Sequence, residues 1–397
     1  MKKVLVTSAA LALAVSSYSL FSNTVQADAL AEAKKRYSLS QDWLDGKLPS
    51  YGNIKVSYNG PPIEMVMTHH VPKVAGIVKR VFIPALRRLE TMANGKIKVT
   101  ENWGGTVHSA REGSDATRSG LSDYAPCFSV YSAKDFNLVH GHSLPGMFSS
   151  ADVAVASAEE LYNKWFKKEF EAIGNSVARM AATTGYHTFS NKPVRTLEDA
   201  KGLKIRAGGG LHAKSNAALG FVPTSMPAAE MYPAVQRGLI DAVSLSDAAG
   251  QIFKVHELAK YRTYNNYTRL FVEYCVGPKW FDNLPADLQV VFNAWTRQHA
   301  IVEAQAFYEL GDVIAQSRFK KAGMKFIELS ADESKRWEAA LAPVEEEWIK
   351  GHEAKGRSAR KLVSELKATA KKYSAMSPNQ ILQAAIDNPV MNMYDFK

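Results

Sequence analysis

Apolar and polar positions along this 397-residue chain alternate between a strand-like and a helix-like period. Ile63 to Thr68, Lys96 to Glu101, Tyr124 to Val130 and Ser176 to Ala182 are short apolar-rich runs that read as strands. Between them, Val74 to Met92, Thr117 to Asp123 and Ala156 to Ile173 carry apolar residues at helical spacing. This succession predicts α/β layers around a largely parallel sheet, in which ligands collect beyond the carboxyl ends of the strands. A long helix is predicted over 284–317. Leu284-Pro285-Ala286-Asp287-Leu288 supplies its start, and Leu288, Val291, Phe292, Trp295, Ile301, Ala304, Phe307 and Leu310 recur on one face. No internal repeat interrupts the pattern.

The first residues carry a different signal. Lys2 and Lys3 precede an apolar run from Val4 to Leu20, interrupted by Thr7, Ser8, Ser16, Ser17, Tyr18 and Ser19, and Val25-Gln26-Ala27 closes the segment. This is the pattern of a secretory signal peptide, residues 1–27, cleaved after Ala27 or Ala29. No later run approaches the ~18 apolar residues of a membrane span, so a soluble periplasmic chain is expected. Residues 28–60, an amphipathic segment and then a Gly/Pro/Tyr-rich stretch, read as an N-terminal extension. The mature chain is longer than a single core usually holds, so two lobes are expected.

Loss of Lys2 and Lys3 with the signal peptide lowers the formal charge from +10 to +8. The excess is spread along the chain, and with a secreted address it fits an anionic solute better than a nucleic acid. The densest basic stretch, Lys350 to Lys372, is interleaved with Glu353 and Glu365 and reads as a solvated helix face. Cys127 and Cys275 lie in a compartment that permits a disulfide, and pairing and two buried thiols both remain open. There is no nucleophile elbow, H-E-x-x-H helix, P-loop or zinc-spaced cysteine set, so no catalytic residue is assigned. His69-His70 and His140-Gly141-His142 are weak metal signals without acids or cysteines beside them.

The most informative stretch runs from Thr196 to Asp241. It reads T-L-E-D-A-K-G-L-K-I-R-A-G-G-G-L-H-A and then A-A-L-G-F-V-P-T-S-M-P-A-A-E-M-Y-P-A-V-Q-R-G-L-I-D-A. Arg206 ends a short strand, Leu203 to Arg206, and Gly208 to Gly210 let backbone approach a ligand closely. A guanidinium there is suited to clamp a carboxylate through two parallel hydrogen bonds. The pattern D-x-K-G-L-K-[IL]-R, A-L-G, P, M-P, E-x-Y and G-x-[IV]-D resembles solute-binding proteins of tripartite ATP-independent periplasmic (TRAP) transporters, the dicarboxylate-binding-protein-like family. Ala93-Asn94-Gly95-Lys96-Ile97-Lys98-Val99, Arg118 to Asp123 and Lys279-Trp280-Phe281-Asp282-Asn283-Leu284-Pro285 extend the likeness over roughly Ile63 to Glu333.

The resemblance implies a two-lobed α/β periplasmic-binding-protein fold with a hinge and a long helix spanning both lobes. Lobe I would hold 61–183 plus 272–317 and lobe II 184–271 plus 318–350, with 351–397 as a C-terminal helical tail. It also implies a receptor that closes on a small organic anion and delivers it to membrane permease subunits driven by an ion gradient. Where the family often has a second basic residue, this chain has Tyr186 and His187, which offer a phenol or an imidazole, the latter charged only at mildly acidic pH. Where many members have an asparagine after the Asp241 position, Ser244 and Ser246 offer hydroxyls, while Asp247 reads as a helix cap. His69, at the end of the first strand, and Trp103 complete the candidate site, and Glu230 is expected to cap or brace a helix. These departures favour a monocarboxylate with a polar or aromatic body over a short dicarboxylate. The acidic and aromatic residues of metal-using relatives are not evident, so neither metal nor cofactor is expected. A ligand sensor of the same fold and, further off, a periplasmic hydrolase are the alternatives. The tail after Ser377 fits its own lobe or a second subunit, leaving monomer or dimer open.

Overall fold

In the computed structural model, residues 28–48, 54–391, 393, 394 and 396 are described, and the predicted signal peptide lies outside them. Their strands form two mixed sheets. The first has the order β2-β1-β3-β10-β4, with β1 at Ile63–Thr68, β2 at Ile97–Asn102, β3 at Tyr124–Pro126, β4 at Ser176–Ala182 and β10 at Phe271–Val276. The second has the order β11-β9-β5-β8-β6-β7, with β5 at His187–Ser190, β6 at Lys204–Ala207, β7 at Val222–Ser225, β8 at Ala242–Leu245, β9 at Tyr261–Thr263 and β11 at Lys325–Ile327. The chain leaves the first sheet after Ala182 and returns to it at Phe271.

That excursion explains why the sheets are not largely parallel as expected. β1, β2 and β3 run parallel, but β10 re-enters from the second lobe and pairs antiparallel with both β3 and β4. β5 likewise runs antiparallel to β8 and β9, whereas β6 is parallel to β7 and β8. Two boundaries also move. The helix expected at 117–123 runs Gly113–Ser119, because Gly120 turns left-handed at φ 82° and stops it. The strand expected over 124–130 ends at Pro126, which has no N–H for the ladder. A short 3-10 turn, Ser129–Tyr131, follows and leads toward the second lobe.

The long helix is present as one helical run, Ala286–Val302, Glu303–Glu309 and Leu310–Lys321. Its first part buries Leu288, Phe292 and Trp295 in the core of the first lobe, and its last part buries Ala315 and Phe319 against Phe189 and Val243 of the second. The middle segment widens to i→i+5 hydrogen bonding, and such widened turns cluster at functional sites. A second helix, Ala331–Glu353, makes the same passage, with Trp337 and Leu341 in a second-lobe core and Val344 and Trp348 in that of the first.

The tail packs on its own chain. Leu362, Leu366, Ile381, Leu382, Met393 and Tyr394 are buried in the first-lobe core, and the Tyr394 hydroxyl donates to the Ala178 carbonyl at 3.0 Å. The basic stretch meets acids on the surface, Arg360 with Glu346 and Lys372 with Glu160. Cys127 and Cys275 are disulfide-bonded, with Cα atoms 5.6 Å apart, and the loop they close contains the whole second-lobe excursion. No helix among the described residues is long and apolar enough to cross a membrane.

Candidate functional site

Arg206 sits on β6 between β7 and β8, and only 1% of it is exposed. Its Nε donates to the Met226 carbonyl at 3.0 Å, Nη1 to the Ser244 carbonyl at 3.3 Å, and Nη2 to the Tyr131 hydroxyl at 3.3 Å. Every one of these acceptors is neutral, and among the described residues no carboxylate lies within ion-pair distance. The two carbonyls fix the plane of the guanidinium. Tyr131 comes from the first lobe and also accepts the Ala228 N–H at 3.1 Å, so the contact spans the two lobes.

The glycines after β6 make this approach possible. A Cβ on Gly209, whose φ is 154°, would stand 2.5 Å from the Val130 carbonyl oxygen, and one on Gly208 would stand 2.9 Å from a Val130 methyl. First-lobe backbone therefore lies directly on the glycine turn, and any larger residue would hold the lobes apart.

Around Arg206 stand Tyr186, His212 and Ser244. The Tyr186 hydroxyl hydrogen-bonds Arg206 and Thr183, and burial pushes its pKa up, against the pull of Arg206. Its ring packs edge-on against His212 at 5.0 Å. His212 Nδ1 accepts the Gly208 N–H at 2.9 Å, so Nε2 carries the proton and donates to Ser244 Oγ at 2.8 Å. Burial, then the charge of Arg206, lowers the His212 pKa to about 3, so the ring is neutral.

A small cavity of about 30 Å³ lies between the lobes. His69, His70, Phe128, Tyr274 and Tyr308 line one side, and Phe253 with Ala249 lines the other. One aromatic link joins it to Arg206: Phe128 packs at 5.6 Å on Tyr131, whose hydroxyl accepts from the guanidinium. Glu303, at the cavity wall, pairs with the buried Arg179 at 2.8 Å, and burial raises its pKa to about 7 against the pull of that arginine.

The other expected residues fall in different places. His69 lines the cavity and stacks against His70 and Trp103 at 5.1 and 5.0 Å, with Nδ1 held by the Val71 N–H. Trp103 is buried behind it and donates to Glu101 at 2.8 Å, so it backs the wall rather than lining it. Ser246 caps the helix Asp247–Ile252 by accepting the Ala249 N–H, so Ser246 takes the capping part expected of Asp247. His187 stacks on Tyr264 at 5.0 Å and stands 3.9 Å from Asp247. Burial lowers its pKa to about 3, which removes the charge expected of it at mildly acidic pH. Glu230 precedes the helix Met231–Gln236 and is exposed.

His187, Asp247 and Asp312 each bring one ligand atom within 4.8 Å of the others, the described group with metal-ligand chemistry. Arg262 already donates to both Asp247 oxygens, at 3.1 and 2.7 Å, and a metal there would have to displace it. Sequence reasoning missed Tyr131, His212, Tyr308 and the Arg179–Glu303 pair. Only His212 had a local signal, six residues after Arg206 at the start of the following helix.

Residues 85–351 match the family model of bacterial extracellular solute-binding proteins, family 7, or DctP. The chain belongs to that family. One family 7 relative, the C4-dicarboxylate-binding periplasmic protein DctP of Rhodobacter capsulatus, is 29% identical over 160 residues, 40% of this chain and 48% of its own length. A solute-binding protein of Albidiferax ferrireducens is 31% identical over 37% of this chain and 44% of its own length, so the chain spans about half of each of these two relatives. Among solved structures, a TRAP solute-binding protein of Rhodoferax ferrireducens in complex with copurified benzoate superposes with a TM-score of 0.75 at 18% identity, covering 79% of this chain and 99% of that one. A Bordetella bronchiseptica TRAP solute-binding protein with bound mandelate gives 0.71 at 22% identity over 78% and 99%. At these identities the likeness is one of fold.

Proposed function

We propose that this family 7 protein is the periplasmic receptor of a TRAP transporter, and that it captures an aromatic or aryl-substituted monocarboxylate and hands it to a membrane permease. The observation that carries the reading is Arg206, a fully buried cation at the lobe junction whose partners are all neutral oxygens. Burying an unneutralised charge costs several kcal/mol, and an incoming carboxylate offsets that cost. It would replace the Tyr131 hydroxyl on Nη2 and link lobe closure to capture. Ser244, with its oxygen occupied by His212, keeps its own O–H to donate.

The aromatic side chains lining the space between the lobes, which Phe128 joins to Tyr131, favour a ring as the body of a ligand that enters when the lobes part. No second arginine stands at Tyr186 or His187, and Arg179 is already joined to Glu303. No lysine or arginine is among the residues lining the cavity to meet a second carboxylate, which favours a monoacid. Benzoate and mandelate in the two structural neighbours are ligands of this kind. The ligand is released unchanged.

The test is a titration of the secreted, processed protein with benzoate, 3-hydroxybenzoate, mandelate and succinate. Tighter binding of the aromatic acids, lost in Arg206→Ala and not restored in Arg206→Lys, is expected. Undiminished binding by a folded Arg206→Ala variant would remove the clamp. Reconstituted uptake that depends on this protein distinguishes a transport receptor from a sensor.

A further inference from the structure

Gly210, Leu211 and Lys214, just after the strand that carries Arg206, line a second space of about 360 Å³. We propose that it binds hydrogen phosphate, as a free anion, across the joint between the lobes. Lys134, Lys214 and Lys355 line it together with His140, His352 and Trp348, and no carboxylate is among the lining residues. None of the three lysines makes an ion pair among the described residues, although acidic side chains are plentiful elsewhere on the surface. Glu169 is taken up by the backbone N–H groups of Asn137, Leu138 and Val139, and exposed Asp135, next to Lys134, is not among the lining residues.

The histidines point to a phosphate rather than to any anion of like charge. His140 is 9% exposed, its ring bonds the Ala133 carbonyl, and its Nε2 is buried without a partner. His352 Nδ1 is likewise buried and unpartnered. Burial lowers the His140 pKa to about 4, so the ring is neutral, and with its other nitrogen donating to the Ala133 carbonyl Nε2 offers a lone pair. A neutral imidazole nitrogen accepts a hydrogen bond and repels a bare oxyanion. Hydrogen phosphate satisfies both demands, since its charged oxygens meet the ammonium groups and its O–H donates to the imidazole. Sulfate carries the same charge and no donor.

The site draws on both lobes. Lys134 and His140 come from the first-lobe segment after β3, and Lys214 lies on the helix Gly210–Ala218, which begins directly after β6. His352 ends the helix Ala331–Glu353, which is anchored in both cores. An anion held there favours the closed arrangement that also builds the Arg206 site, because Lys214 and His212 share one helix.

The experiment is calorimetric titration of the processed protein with inorganic phosphate in chloride buffer at fixed ionic strength, with sulfate as the comparator. Saturable phosphate binding, at least about tenfold tighter than sulfate, is expected. It should weaken tenfold or more in a Lys134→Ala/Lys214→Ala/Lys355→Ala variant, whose changes are all at exposed positions. Arg206→Ala should keep phosphate binding while losing the aromatic acid, which separates this proposal from the one before it. No saturable binding, equal affinity for sulfate, or loss of phosphate binding in Arg206→Ala would each overturn it. Sedimentation with phosphatidylglycerol vesicles without binding of free phosphate would overturn the free anion in favour of a lipid headgroup.

Discussion

Arg179 and Arg206 are both buried, one in each sheet, at 0% and 1% exposure, yet they do opposite things. Arg179 lies 2.8 Å from the Glu303 carboxylate, bonds His299, and places its guanidinium 4.0 Å over the Tyr274 ring. Its charge is answered inside the fold once Glu303 ionises, near pH 7. Arg206 has two backbone carbonyls and tyrosine hydroxyls around it, so its geometry is fixed while its charge is not. Burial alone therefore does not mark a binding arginine, and neither do neutral acceptors alone, since buried Arg269 donates to the Phe148 and Ser149 carbonyls; Arg206 adds a contact that spans the lobes, through Tyr131.

The largest effect comes from removing each cation in turn. Arg179→Met should cost about 3 to 5 kcal/mol of folding stability, because it leaves Glu303 buried without its partner. Arg206→Met should change stability little or raise it, since a buried unneutralised charge is replaced by an apolar chain of similar reach. It should instead cost about 2 to 5 kcal/mol of ligand affinity. Denaturant unfolding and ligand titration of both variants test the contrast, and equal destabilisation by the two would end it.

A second test acts on what brings the lobes together. The Cys127–Cys275 bond ties β10 to the end of β3, just before the turn that carries Val130 and Tyr131 to the glycines after β6. Replacing both cysteines by serine should lower stability by about 2 to 5 kcal/mol. Ligand affinity should fall by less than in Arg206→Met, because the clamp itself is untouched. A loss of affinity as large as that of the arginine variant would place the recognition energy in the first-lobe turn instead.

The role of the cavity wall can be separated from that of the clamp. Phe253→Ala should weaken binding of an aromatic acid by roughly tenfold to a hundredfold, in line with the loss of a buried ring contact, and leave a small aliphatic acid nearly unaffected. Equal losses for both ligands would place the acid's body away from this cavity.

How much of this was legible in the sequence differs between the two arginines. Arg206 stands in a contiguous run of strand, glycines and helix start, and the resemblance of that run to the TRAP solute-binding family singled it out. Arg179 stands in Ser176–Ala182, an apolar strand, and its partner Glu303 is far along the chain on a widened helical turn that no local period announces. Tyr131 was hidden for a related reason. It lies beyond the point where Pro126 ends the strand, and only the crossing of two lobes brings its hydroxyl to Arg206. Ser246 and His187 carried suitable chemistry, but the capping demand of the next helix claimed one and the Asp247–Arg262 pair drew in the other. Side-chain type was readable from the sequence; the competition for each side chain was not.

The smallest expected effect is in the response to pH, where a buried base near Arg206 and a buried acid near Arg179 should pull in opposite directions. His212 is held at about 3 in the fold against its ordinary 6.5, so between those values the unfolded chain binds a proton that the folded one refuses. Stability from this residue is complete above pH 6.5 and is lost as pH falls toward 3. Glu303 is held at about 7 against 4.5, so the folded chain retains a proton that the unfolded one releases, and stability is lost as pH rises from 4.5 through 7. Each contributes a slope of at most about 1.4 kcal/mol per pH unit. Within the pH 5 to 6.5 window, where both operate, His212→Gln should make unfolding free energy fall more steeply with rising pH. Glu303→Gln should make it rise more steeply. Chemical denaturation at pH 5 and 6.5 checks both signs, and matching shifts in the two variants would show that one of the pair does not titrate as its surroundings require.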